Sequence, residues 1–288
     1  MRRMRKKSLR IIRNPLAMIG LIIAVALILT ALFATTIAPY PPNEIRLKDK
    51  LSPPTWSHLC GTDQFGRDIL SRIIYGARVS LIVGLLGTTI GLAIGVFLGV
   101  IAGYFGGWLD ELIMRAMDII LSFPYIVLGI GLMALFGPSL KNVILIIGLI
   151  NGPRFARLMR GTVLSVRERE YVKAAKSMGA SSANIIVRHI IPNTMTPVII
   201  LFTLSIATAI NMEAALSFLG LGVPPPDPTW GEIISNGMNY MLGSPWIATF
   251  PGMAISLAFR PISGKRTMRL RMSMKRIRRS SKQMSGFS

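Results

Sequence analysis

Few residues in this sequence could do covalent chemistry. His58 and His189 are its only histidines and Cys60 its only cysteine. His58 and Cys60 stand close together, but two ligands do not make a zinc site, and one thiol permits no internal disulfide. No nucleophile–histidine–acid set and no paired carboxylates stand out, so no catalytic residue, metal or cofactor is expected. The pattern G-x-x-x-x-G-K-[ST] is absent, so the chain brings no Walker-type ATP site of its own. Energy for uphill work must then come from a partner or an ion gradient. The acid that invites a functional reading is Glu213, late in a long apolar run. Ionisable groups at such depth are paired, face a cavity or sit at the interface. For Glu213 an interfacial seat and a place on a translocation path both stay open.

The elements that must position these residues are set by composition. Of 288 residues, 51% are hydrophobic and 16% charged, where a soluble domain has about a quarter charged. A net charge of +21 can signal nucleic acid, but here the basic residues lie between long uncharged runs. Membrane lipid with anionic headgroups is the expected partner, and nucleic acid is not. The apolar runs are Leu16–Ile37, 79–103, 119–136, 142–151, 197–219 and a short one at 246–259. The first is uncharged over 22 residues, about 33 Å as a helix against a hydrocarbon core of about 30 Å. That exceeds the apolar region of a signal peptide. The fold class expected is an all-α polytopic membrane bundle with five spans and a shortened sixth.

Orientation follows from the basic residues. Seven Lys/Arg fall in residues 1–13, eight in 151–196, ten in 260–288 and one at Arg115, against six in 38–78 and one at Lys141. The positive-inside rule therefore expects both termini in the cytoplasm of a multi-pass cell-membrane protein. Three parts are expected: residues 1–78 (basic tail, first span, outer loop), 79–258 (the core, with a cytoplasmic loop at about 151–196) and an atypical basic tail, 259–288.

Two patterns carry more. Gly87, Gly91, Gly95, Gly99 and Gly103 recur every four residues, giving a glycine face on which another helix can approach at backbone distance. Ordinary packing within one bundle is the plainer use of such a face. In the loop 151–196, helix formers run from about Phe155 to Met178, Gly179 interrupts, and Ser181 or Ser182 can cap a second short helix that Pro192 and Pro197 end. Periodic Val163, Val166, Val172, Ala175 and Met178 suggest an element docked on a soluble partner rather than a solvated linker. Trp230 and Trp246 fit interfacial anchors.

The stretch Glu170-Tyr-Val-Lys-Ala-Ala-Lys-Ser-Met-Gly179, continuing to Arg188-His-Ile-Ile-Pro-Asn193, resembles the EAA loop of binding-protein-dependent ABC importer permeases. Gly61-Thr-Asp-Gln-Phe-Gly-Arg-Asp68, Tyr75-Gly-Ala-Arg-Val-Ser-Leu81, Glu213-Ala-Ala-Leu-Ser-Phe-Leu-Gly-Leu-Gly222, Pro228-Thr-Trp-Gly231 and Arg13-Asn-Pro-Leu16 together resemble the C-type permease of dipeptide, oligopeptide and nickel importers. The resemblance covers about residues 10 to 258. It implies half of a translocation pathway, completed by a second permease subunit, driven by two cytoplasmic ATPase subunits that bind the ATP, and fed by an extracytoplasmic solute-binding protein. It also implies that the loop is the coupling element, with Gly179 making its turn and Ala174 and Ala175 allowing close docking. Lys173 stands where the family has Glu, with Glu170 nearly one turn earlier, so no salt bridge is assigned to Lys173.

After Phe259 the resemblance stops. Residues 260–288 hold no acid, whereas the family continues the sixth span. A shift of coding frame near Ala258 would produce such a change, and reading the gene in its other frames tests it. Otherwise the tail is a basic segment held at anionic lipid by about 1 kcal/mol per Lys/Arg. Two readings of other classes remain: an ion-coupled secondary transporter relying on Glu213, and a non-transporting membrane assembly protein.

Overall fold

The computed structural model describes residues 15–258; the basic segment 1–14 and the tail 259–288, with its frame-shift reading, lie outside the described residues. The described chain is built of helices: α1 (Pro15–Leu32), α2 (Ala34–Ile37), α3 (Ile69–Phe105), α4 (Gly107–Ser122), α5 (Tyr125–Phe136), α6 (Leu140–Arg167), α7 (Glu170–Ser177), α8 (Ser182–Ile185), α9 (Ile191–Phe218), α10 (Trp230–Met238) and α11 (Trp246–Ala258). A π-helical turn, Ile186–Ile190, joins α8 to α9.

The centre of the bundle is α3 against α6. A Cβ added to Gly91 would lie 2.9 Å from the Gly148 carbonyl oxygen, on Gly95 2.6 Å from that of Gly152, and on Gly99 2.6 Å from that of Ala156. On Gly87 it would meet Ile147 at 2.9 Å and on Gly103 Val163 at 2.8 Å. All five glycines are therefore spent on one close helix contact, at separations only a missing side chain allows. Val83, Val143, Ile146, Ile147, Met212 and Leu216 form one apolar cluster; Val163, Val166, Val172, Ile185 and Ile190 belong to a second.

Three sequence expectations need correction. The run 119–136 is not one straight helix: α4 and α5 meet at a 91° bend. Pro124 has no N–H to give and disfavours helical backbone at the residue before it, and Phe123 is accordingly extended (φ −86°, ψ 139°). The run 142–151 lies in the first half of a 28-residue helix that continues through Pro153, so 151–167, Arg154 included, is not loop as expected but part of this helix, because Phe155, Ala156, Met159, Val163 and Val166 are all buried and keep the chain on α3. Pro192 and Pro197 do not end a helix. Ser182–Phe218 is continuous through both prolines, with the π-helical turn Ile186–Ile190 directly before Pro192, where a missing N–H is absorbed by the local change of helix geometry.

By length and composition α3, α6 and Ser182–Phe218 can each cross a membrane, and α4 with α5 adds a fourth crossing if the broken pair is one span. At the two edges of the described residues, α1 has 18 residues from Pro15 to Leu32 and α11 is described as far as Ala258.

One end of the bundle is closed by residues 38–68 and α10. Asp68 caps α3, accepting from the backbone N–H (2.8 Å) and hydroxyl (2.7 Å) of Ser71, while its other oxygen meets His58 Nδ1 at 2.9 Å. The tryptophans expected as interfacial anchors are structural here. Trp230 is 1% exposed and donates to the Ile73 carbonyl (2.9 Å), and Trp246 donates to that of Thr62 (3.3 Å). A polar indole nitrogen with a protein acceptor has no need of headgroups.

Candidate functional site

At the opposite end of α3 and α6 the chain makes an elbow. Arg167 closes α6 and donates through Nη1 to the carbonyls of Gly103 (3.1 Å) and Tyr104 (2.9 Å), the last turn of α3. Cations suit helix C-termini, where carbonyls lack partners. After two residues α7 begins. It ends through Met178 N–H to the Ala174 carbonyl, Gly179 N–H to Lys176 and Ala180 N–H to Ala175. Gly179 takes φ +81°, the left-handed region that glycine enters at no steric cost. Ser181 caps α8, its hydroxyl accepting from the Asn184 N–H.

The elbow has two faces. Val172 and Ala175, three apart, point inward with Ile185 onto Val163, Val166 and Ile190. Glu170, Tyr171, Lys173, Ala174, Met178 and Gly179 are exposed. Ala175 therefore cannot serve external docking as the resemblance implied; helical spacing turns it with Val172 into the permanent packing, and only Ala174 of that pair faces out. Met178, grouped by periodicity with the apolar face, is 81% exposed, because the helix has ended at Ser177. Lys173 does form an ion pair, with Glu168 at 3.1 Å, both side chains 62% exposed. The hydrogen bond from Lys173, then its charge, with a further contribution from Arg167, holds the Glu168 carboxyl below its ordinary value.

Glu213 is fully buried on α9. Ser80 of α3 donates to one carboxylate oxygen at 2.8 Å and Ser217 to the other at 2.8 Å. The carboxyl is thus paired within the protein, and in this structure it meets protein hydroxyls rather than an open path.

A third locus was not marked by sequence. At the α4–α5 break, a pocket of about 210 Å³ is lined by Ile120, Leu121, Phe123, Tyr125, Ile150 and Arg154, among others. The Arg154 guanidinium lies 5.8 Å from the Tyr125 ring centroid. Its neighbours on α6 are engaged: Arg157 with Asp118 (2.5 Å) and Arg160 with Asp110 (2.5 Å). The available signals were Pro124 inside an apolar run and a lone arginine following Pro153.

Residues 95–266 match the family of binding-protein-dependent transport system inner membrane components, and residues 3–54 match the N-terminal TM domain of oligopeptide transport permease C. The chain is 45% identical over 245 residues to the dipeptide transport system permease protein DppC of Alkalihalophilus pseudofirmus, covering 85% of this chain and 81% of that protein. It is 43% identical over 246 residues to the glutathione transport system permease protein GsiD of Shigella flexneri, again covering 85% and 81%. Its structure is similar to a chain of the inward-facing MetNI methionine ABC transporter, with TM-score 0.52, 19% identity, and coverage of 70% of this chain and 95% of that one; this likeness speaks to the fold.

Proposed function

The chain belongs to the family of binding-protein-dependent transport system inner membrane components, as a C-type peptide permease of an ABC importer, and on that premise we propose that it carries short peptides across the cell membrane as one half of a two-permease pathway. Its partners in this reading are a second permease subunit, two cytoplasmic ATPases and an external solute-binding protein. The N-terminus is cytoplasmic, and the chain crosses six times, with α4–α5 as one broken crossing and α11 in the sixth.

One observation carries the coupling role. The elbow at Gly179 is exposed on its outer face yet rooted twice in the bundle, by Arg167 on the end of α3 and by Val172 and Ala175 against α6 and the start of α9. A push on its outer face is delivered to three long helices, not absorbed by a loose loop. Glu170, Lys173, Ala174 and Gly179 are the residues placed to meet the ATPase. The fit of relatives named for dipeptide and glutathione transport supports a peptide-like solute.

The test is Gly179→Val in the assembled transporter. A Cβ at Gly179 meets nothing within 4 Å, so only the left-handed backbone is penalised, by about 1–2 kcal/mol. ATP hydrolysis should persist while dipeptide uptake into proteoliposomes collapses, and Gly179→Asn, which tolerates that backbone, should keep uptake. Normal uptake by the valine variant would defeat the coupling role. So would labelling from the external side of a thiol placed by Ser177→Cys in a Cys60→Ser background.

A further inference from the structure

We propose that the pocket at the α4–α5 break, walled by Arg154, is a station on the solute path that holds the carboxylate end of a peptide. The inference rests on the transport reading above and names the chemistry the path recognises.

Arg154 lies 14 positions from Leu140, about 21 Å along α6, within the thickness of a hydrocarbon core of about 30 Å. Lys141 marks one end of that helix, and the Arg157–Asp118 and Arg160–Asp110 pairs the approach to the other. Arg154 is exposed, and no described carboxylate lies within 4.0 Å of it. Its near neighbour is the face of Tyr125. Arginine within a span faces the bundle interior or a water-filled cavity, where it meets a partner group or a ligand, rather than lipid, and the opening of the pocket beside Arg154 points to the ligand.

The broken span points the same way without reference to charge. Between Ser122 and Tyr125 the backbone leaves the helix. Non-helical backbone at membrane depth is tolerated where it is buried in protein or lines a wet cavity. Here it forms the wall facing Arg154. At about 210 Å³ the pocket is large enough for one terminal residue. Phe123, Leu121 and Ile150 supply apolar wall for a side chain, and a guanidinium fork matches the two oxygens of a carboxylate.

The experiment uses the complete transporter carrying Cys60→Ser and Leu121→Cys, with Ile120→Cys as the second probe should the first fail to assemble. Labelling rates are compared for the anionic sulfonatoethyl and the neutral hydroxyethyl methanethiosulfonate, each normalised to its rate at an exposed thiol from Ser177→Cys. The anionic reagent should be favoured several-fold at the pocket thiol. Arg154→Gln should remove the preference and Arg154→Lys should keep part of it. The dipeptide Ala-Phe should slow labelling, while its C-terminal amide and inorganic phosphate should not.

No labelling at either probe, equal rates for both reagents, or a preference that survives Arg154→Gln would each overturn the site. Equal protection by acid and amide would overturn carboxylate recognition, as would equal protection by phosphate. ATP-driven dipeptide uptake by the unsubstituted complex is measured alongside. Its absence would sink the transport reading, while the charge preference at the pocket thiol still decides whether the anion site exists.

Discussion

Arg72, near the start of α3, places Nη2 2.7 Å from Glu232 Oε2 on α10, across 160 residues of chain. Its side chain is 3% exposed, and Nη1 also donates to the Pro42 carbonyl and Asn43 Oδ1. One guanidinium thus ties the loop 38–68, the long helix α3 and the cap helix α10. Removing one partner of such a pair leaves a buried charge, at a cost of about 3–5 kcal/mol. Arg72→Met should therefore lower the thermal midpoint of the solubilised complex clearly, Glu232→Leu likewise, and the double variant less than the sum of the two. A double-mutant cycle with coupling below about 0.5 kcal/mol would show that the pair is not what joins these segments.

The glycine face makes a graded prediction. At Gly95 a methyl would lie 2.6 Å from the Gly152 carbonyl oxygen and 2.8 Å from the Ala156 nitrogen, both backbone atoms that cannot swing away. Gly95→Ala should force α3 and α6 apart at a cost of about 1–3 kcal/mol. Gly161, on α6 with nothing within 4 Å of an added Cβ, is the control. Gly161→Ala should be neutral or stabilising by up to about 1 kcal/mol, the ordinary gain of alanine in a helix. Both are read from thermal unfolding of the same complex, and equal behaviour of the two variants would deny the seam.

What could be read ahead of the structure was what repeats locally. Gly87 through Gly103 gave their packing face through spacing alone, and Gly179 its turn through conformational freedom. Val163, Val166, Val172 and Ala175 gave an apolar face, read as docked on a soluble partner, but the structure packs it within the chain, a distinction periodicity does not carry. Met178 was misassigned because its spacing continues while its helix does not. The break at Pro124 was hidden by the apolar residues on both sides, which read as one run whether or not the backbone bends. Arg72–Glu232 and Ser80–Glu213, whose partners are 160 and 133 residues apart, have no local signature.

Glu213 separates ATP-driven from ion-coupled transport. With both oxygens bonded, to Ser80 and Ser217, the carboxyl fastens α3 to α9. Glu213→Ala would leave two buried hydroxyls unpaired and a cavity, costing about 2–4 kcal/mol. Glu213→Gln keeps the shape and an acceptor but cannot carry a proton. ATP-driven uptake by the glutamine variant should stay within about twofold of the parent, a change of under 0.5 kcal/mol, and a protonophore should leave it intact. Loss of uptake by a normally assembled glutamine variant would favour an ion-coupled mechanism instead.

Cys60 offers a pH-dependent test outside the membrane-spanning helices. Burial, and then the negative charge of Asp68, push its thiol up to about 11. A thiol reacts as thiolate, and a free cysteine titrates near 8.5. At pH 7.5 the thiolate population should thus be lower than that of a free cysteine by roughly 100-fold, rising about tenfold for each pH unit up to 10. The raised value also has a consequence for stability. The native surroundings favour the protonated thiol, so this contribution is complete below the unfolded value near 8.5 and is lost as pH rises through about 11. Cys60→Ser, which does not ionise in this range, should blunt the alkaline fall in thermal midpoint. Alkylation by iodoacetamide, followed by intact mass from pH 7 to 10, measures the first effect. A rate that levels off by pH 9 would mean that the thiol is freely solvated and that the loop 38–68 does not close over it as the structure has it.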